Sequence, residues 1–285
     1  MGWKAFSLAL RLLSPVHIGA GAEGNLQRTR PYVTGKALWG ALTARLARDC
    51  PDLRGDYAEA GRRVHAELAL SYLYPTCGAE EPLWPWGGTA DAFRWQFLGS
   101  VASTALDPSG SGADEGSLHE VEHISPVTRD GQPVILRGYI FCAEGSRLRW
   151  PEVLPRLQLG GERGYGWGRV EVERLEEVGS ERVLFGMYDA DPGTWPPVLT
   201  ARGRGEGEAW LLAHALAVDV QDPGGPRRAC SGLSGPIEPL VGRETEAAGA
   251  FGARLSPVRV AWVPGTPVSV GIRFRIGTYG VWEGV

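Results

Sequence analysis

The chain is short of three things. Its four cysteines, Cys50, Cys77, Cys142 and Cys230, are scattered over 285 residues with no CxxC pair. That spacing argues against a zinc ribbon and against a disulfide-stapled scaffold, and makes a reducing compartment the default. There is no apolar run of the ~18 residues that a membrane span needs. The opening "MGWKAFSLALRLLSPVHIG" sets a basic residue before an apolar stretch, but Arg11 interrupts it and no small-residue cleavage site follows. It therefore reads as a strand, not a signal peptide. The third lack is of positive charge: 29 Lys and Arg face 33 Asp and Glu, for a formal net charge of -4. Free nucleic-acid binders are usually basic, so a stand-alone one is disfavoured. A subunit with local basic groups and an outer face turned to other proteins is not. The expectation is a cytoplasmic protein without membrane anchor, metal or cofactor.

What is plentiful is glycine, 41 residues, and proline, 21. Together they predict many turns and short strands, not a helical bundle. Residues 3 to 13 alternate, with Phe6, Leu8, Leu10 and Leu12 on one face of a strand. "GKALWGALTARLARD" places Leu38, Leu42 and Leu46 in a helical stripe. A second helix is predicted within 54–73, and a short third one at 151–157. Strands are predicted at 117–124, 133–143 and in "RVEVERLEEV". The stretch 75–116 reads as loop, with Trp84, Trp86, Phe93, Trp95 and Phe97 as a satellite core beneath it. The fold class expected is α+β: two ferredoxin-like, RNA-recognition-motif-like units with insertions. The first unit covers 1–179 and carries the glycine-rich loop. The second, 180–285, is strand-rich and follows a junction at "GSERVLF", with basic connections in "TARGRGEGE" and "DPGGPRRACSG".

"LGGERGYGWGRV", residues 159 to 170, is the densest motif, with Gly160, Gly161, Gly164, Gly166 and Gly168 around Arg163, Tyr165, Trp167 and Arg169. Glycine tolerates positive φ and close backbone approach. Exposed N–H groups in such a loop attract anions, and the arginines add fixed positive charge with bidentate phosphate geometry. The aromatics could stack on bases or pack beneath the loop. The simpler alternative is a glycine-rich turn packed on a neighbouring strand. No GK[ST] follows, and no helix with an acidic residue at the right distance, so P-loop and Rossmann readings fail.

Three stretches in order across residues 8 to 170 carry a family resemblance. "LRLLSPVHIGAG" resembles the first strand and turn of the RAMP superfamily of CRISPR-associated proteins. "RPYVTGKALWGALTARL" resembles the entry to its first helix, and "LGGERGYGWGRV" its glycine-rich loop. The resemblance is greatest to subunits of type III effector complexes. It implies ferredoxin-like folds, a CRISPR guide RNA as ligand and other effector subunits as partners, in antiviral defence. Carried onto this sequence, it points to Arg28, Arg30, Lys36, Gly160, Gly161, Arg163, Gly164, Tyr165, Gly166, Trp167, Gly168 and Arg169 as the RNA-binding set. Lys36 stands near a helix N-terminus, where free N–H groups attract phosphate. Arg45 and Arg48, further along, read as a solvated helix face.

Two catalytic readings compete with this non-catalytic one. Subunits of this kind that slice RNA use an aspartate after the first strand, with a divalent metal; here 18–31 holds only Glu23. The processing endoribonucleases work without metal, often through histidine, and His17 is the candidate base. "HEVEH", 119–123, matches the zinc-hydrolase motif H-E-x-x-H, which must lie on a helix for His119 and His123 to converge. Its valine and the "ISPV" that follows predict a strand instead, on which the two histidines still share a face.

Overall fold

The computed structural model describes residues 2–78, 82–107, 109–110, 112–179, 183–203, 209–218, 228–244 and 252–285. The start of the expected junction, 180–182, and parts of the polar segment 107–117 and of both basic connections lie outside the described residues. The fold is mixed α+β.

The first half runs β1 (Trp3–Leu12), β2 (Gly19–Glu23), β3 (Leu26–Thr29), α1 (Gly35–Asp49), α2 (Tyr57–Glu67), β4 (Leu68–Leu70) and β5 (Tyr74–Cys77). It continues with α3 (Ala90–Phe97), β6 (Leu98–Ser103), β7 (His119–Ile124), β8 (Val134–Ala143), α4 (Trp150–Val153) and β9 (Val170–Glu177). β1 lies between β8 and β9, and β4 and β5 both pair with β8, every pairing antiparallel. A smaller sheet, in the order β2-β3-β7-β6, stands beside it.

Helix α1 forms where its leucine stripe predicts it. Thr34 caps it, accepting the Ala37 N–H at 3.3 Å. Leu38, Leu42 and Leu46 lie fully inside. Each such leucine contributes on the order of 1.5–3 kcal/mol of burial. They pack on Leu8, Leu10 and Leu12 of β1 and Leu136 and Ile140 of β8. The second helix is shorter than the sequence predicts. It ends at Glu67, because Leu68 turns extended and its segment pairs with β8. Tertiary pairing overrides local periodicity there.

β1 is buried on both faces, where its alternation predicted one. Leu8, Leu10 and Leu12 face the helices, while Trp3 and Ala5 enter a second core. The second half covers that other face. It runs β10 (Val183–Leu184), β11 (Tyr188–Asp191), β12 (Val198–Ala201), β13 (Ala209–Trp210), β14 (Ala215–Leu216) and β15 (Ile237–Leu240). Then come β16 (Arg243–Glu244), β17 (Arg254–Leu255), β18 (Arg259–Trp262), β19 (Pro267–Val268), β20 (Arg273–Ile276) and β21 (Trp282–Gly284). Eight of these strands form one sheet, ordered β10-β11-β12-β20-β21-β14-β18-β15. Among the described residues of this half there is no α-helix, only a 3₁₀ turn at Thr278–Gly280. The two helices of a ferredoxin-like unit are therefore not among them.

The stretch 75–116, read as loop, also carries the end of β5, α3 and β6. Its aromatics divide among three environments. Phe93 and Phe97 join the helix-side core. Trp84 joins the second core, stacked on Trp86 at 5.4 Å and meeting Trp210 edge-on at 6.3 Å. Trp95 is 70% exposed, under the Arg129 guanidinium.

Candidate nucleic-acid interface

The glycine loop lies against the turn after β1. The Gly161 N–H donates to the His17 carbonyl at 2.9 Å, and the Gly168 N–H to that of Pro15 at 2.7 Å. Gly160 and Gly168 have φ of 76° and 83°, and a Cβ on either would meet a main-chain oxygen at 2.2 or 2.0 Å. Only glycine fits these two positions. Gln158 braces the loop from inside, its amide donating to the carbonyls of Arg163 (3.0 Å) and Trp167 (2.8 Å).

This geometry corrects two expectations. The loop is no open row of N–H groups: those of Gly161, Tyr165, Gly166, Trp167 and Gly168 all donate to main-chain carbonyls, and that of Arg169 to the Ser14 hydroxyl. Much of the glycine content serves packing, as the simpler reading held. The Trp167 ring is engaged edge-on with His123 at 5.1 Å. Tyr165 alone of the pair is outward, 83% exposed at the loop tip.

Beside the loop runs a groove of ≈ 1380 Å³ that both halves build. His17, Arg30, Lys36, Gly160, Gly161 and Arg163 line it. Arg28, Gly164, Tyr165, Gly166, Trp167, Gly168 and Arg169 do not. Arg28 is turned to the small sheet, 3.3 Å from Glu122. Arg48 is exposed, as a solvated face predicts, and also lines the groove, while Arg45 is clamped to Asp49 at 2.7 Å. The groove's formal charge is set by Arg30, Lys36, Arg48, Arg62, Arg163, Arg243 and Arg259 against Glu238 and Glu244. That is an excess of five positive charges on a chain of net charge -4. A concave surface of one sign focuses field and concentrates counter-ions.

The floor of the groove is a polar network joining the halves. Arg30 donates to Glu238 at 2.6 Å, Glu238 also takes the Nε2 side of His214, and the Tyr72 hydroxyl meets His214 Nδ1 at 2.7 Å. His214 is completely buried, and burial lowers its pKa against the pull of Glu238. It is therefore neutral, with Nε2–H donating to the carboxylate and Nδ1 accepting from Tyr72. Burial raises the Glu238 carboxyl, but hydrogen bonds from His214 and Arg30 outweigh it and hold it at about 2. Arg30 is thus committed to a carboxylate, which the sequence could not show.

At the other end, the N-terminus of α1 is not open. A Cβ on Gly35 would stand 2.3 Å from the carbonyl of Tyr279, so the turn at Thr278–Gly280 sits on the helix's first turn. The Lys36 ammonium lies over the Tyr279 ring, 4.7 Å from its centroid. Burial lowers its pKa, Glu244 pulls it back, and Arg259 lowers it further. Arg243, Arg259, His65 and Tyr279 line the groove here. Sequence reasoning missed them because they come from separate strands and a helix that only the tertiary fold brings together.

His17 is 8% exposed at the groove wall. Its Nδ1 lies 2.7 Å from the Glu122 carbonyl. A carbonyl only accepts, so Nδ1 carries a proton. The H-E-x-x-H stretch lies on β7. Four residues of strand separate the two histidines by roughly 13 Å along the chain, against Zn–N bonds of about 2 Å. Among the described residues no three His, Cys, Asp or Glu side chains converge to hold a metal ion.

No protein-family model matches the chain, and no curated protein does. Solved structures do. One matched chain comes from a cryo-EM structure of the type III-B Cmr-beta bound to cognate target RNA. It is 12% identical with a TM-score of 0.42, the match covering 62% of the present chain and 61% of that one. The present chain thus spans less than two thirds of its length. Another comes from the same assembly bound to cognate target RNA and AMPPnP, at 12% identity and a TM-score of 0.49, covering 92% and 85%. Among the described residues no helix is long and apolar enough to cross a membrane.

Proposed function

We propose that the chain is a non-catalytic, guide-RNA-binding subunit of a type III CRISPR effector complex, of the RAMP superfamily. The observation that carries this is the groove. Lys36, Arg163 and the Gly160–Gly161 backbone, from two of the three family-like stretches, line one cavity with five excess positive charges. Such a surface suits the sugar-phosphate backbone of a single strand, held largely irrespective of sequence. The path of the first half supports it too. With β2, β3, β5, α3, β6 and β7 taken as insertions, β1, α1 and α2, β4, β8, α4 and β9 run in an order compatible with a ferredoxin-like unit. On this reading 1–179 is the RNA-holding unit and 180–285 closes the groove and meets neighbouring subunits in the cytoplasm.

The test is a gel shift with labelled CRISPR repeat RNA in EDTA, comparing wild type with Lys36→Ala/Arg163→Ala/Arg259→Ala. Shifted, intact RNA that the triple variant fails to shift supports the proposal. Wild type that leaves the RNA unshifted at low salt counts against it.

One observation favours a second reading, a metal-independent repeat-processing endoribonuclease. His17 lines the groove with Nδ1–H donated to the Glu122 carbonyl, the geometry in which a neutral ring carries its lone pair on Nε2. A discrete shortened RNA in EDTA, absent with His17→Ala, would establish it.

A further inference from the structure

The end of the groove at Lys36 and Tyr279 has features that charge alone does not require. Tyr279 has φ of 61°, in the left-handed region that a bulky residue rarely adopts. Its backbone is held there by close approach to Gly35, and its hydroxyl donates to Glu244 at 3.0 Å. The strained backbone sets one ring. That ring stands edge-on to Trp39 at 5.0 Å and to His65 at 4.6 Å. Trp39 and His65 are themselves parallel, 4.9 Å apart with 13° between their planes. The result is a right-angled corner of three rings. All three line the groove on one side and a smaller hollow of ≈ 250 Å³ on the other, so they are not sealed in a core. Lys36 and Arg259 stand at the same corner.

Strain of this kind, over-determined by its surroundings, clusters at ligand sites. Flat rings beside cations match the two chemistries of a nucleotide: a π face and a phosphate. We infer that the Trp39–His65–Tyr279 corner is a nucleobase-stacking subsite, taking one base of a single-stranded RNA while Lys36 and Arg259 hold its phosphate. This rests on the RNA-groove reading and adds to it a place where the groove grips a base and not only the backbone. His65 suits the role because burial, with Arg259 and Lys36 nearby, holds its pKa at about 4. It is an uncharged ring at neutral pH.

The experiment compares a labelled oligoribonucleotide with an abasic ribose-phosphate oligomer of equal length and charge, by fluorescence anisotropy on the full chain. Wild type should bind the RNA roughly tenfold more tightly, the size of one stacked base. Tyr279→Gly, which fits the left-handed backbone and removes the ring, should bring that ratio towards one. Photocrosslinking of 5-iodouridine RNA to the wild type, with the adduct mapped to Trp39, His65 or Tyr279, needs no variant. Equal wild-type affinity for both oligomers, with crosslinks elsewhere, overturns the subsite and leaves the polyanion groove standing. Failure to bind either oligomer overturns the groove reading, and the subsite with it.

Discussion

The carbonyl oxygen of His17 stands 2.2 Å from where a β-carbon on Gly160 would be. The candidate base and the glycine loop are therefore one packed unit: the loop approaches the β1 turn only because position 160 has no side chain. A graded glycine series follows. Gly160→Ala adds a backbone collision to a left-handed φ of 76° and should lose about 2 kcal/mol or more. Gly166→Ala, at φ 84° with open space, should lose about 1 kcal/mol. Gly164→Ala meets nothing within 4 Å and should lie within about 0.5 kcal/mol of wild type. Urea denaturation of the three variants reads the order directly.

Groove cations and other cations should differ in how they affect RNA affinity. Lys36→Ala and Arg163→Ala should each weaken binding and lower the slope of log K against log salt by about 0.7, the value for one single-strand phosphate. Arg169→Ala, outside the groove lining, and Arg45→Ala, clamped to Asp49, should leave the slope unchanged. Titrations at several salt concentrations decide between them.

Arg30 should behave as a structural residue. Its guanidinium is bound to Glu238, and the pair joins the halves at the groove floor. Glu238→Ala leaves Arg30 and His214 without their carboxylate and should destabilise by about 2 kcal/mol, in the range for hydrogen bonds to a charged group that is partly buried. Removing both partners should cost less than the two single variants summed. Equilibrium unfolding of the double-mutant cycle measures that coupling.

Acidification should weaken the fold through His65. Its folded pKa is about 4 against an ordinary 6.5. Between those values the unfolded chain binds a proton that the native protein does not, so stability rises with pH in this window. The contribution is fully present above pH 6.5 and is lost as pH falls towards 4, amounting to about 3 kcal/mol. His123 and His214 are shifted in the same direction, so the slope will not vanish with one substitution. His65→Gln should flatten it in part, as followed by unfolding midpoints from pH 4.5 to 7.5.

Local pattern was enough for the elements whose packing is local. The leucine stripe of α1, the alternation of β1 and the strands at β7 and β8 could all be read, because burial of one face dictates residue period. That Lys36, Gly160, Gly161, Arg163 and His17 line one groove was decided by the fold, which brings α1 and the glycine loop together. Only the tertiary structure decided what covers the second face of β1, because the covering sheet lies more than a hundred residues further on. It also decided that Arg30 is spent on Glu238, that the loop's N–H groups are mostly taken, and that Tyr279 closes the groove beside Lys36. Each is a pairing between residues far apart in sequence, fixed by which groups burial leaves needing a partner, and no local spacing records it.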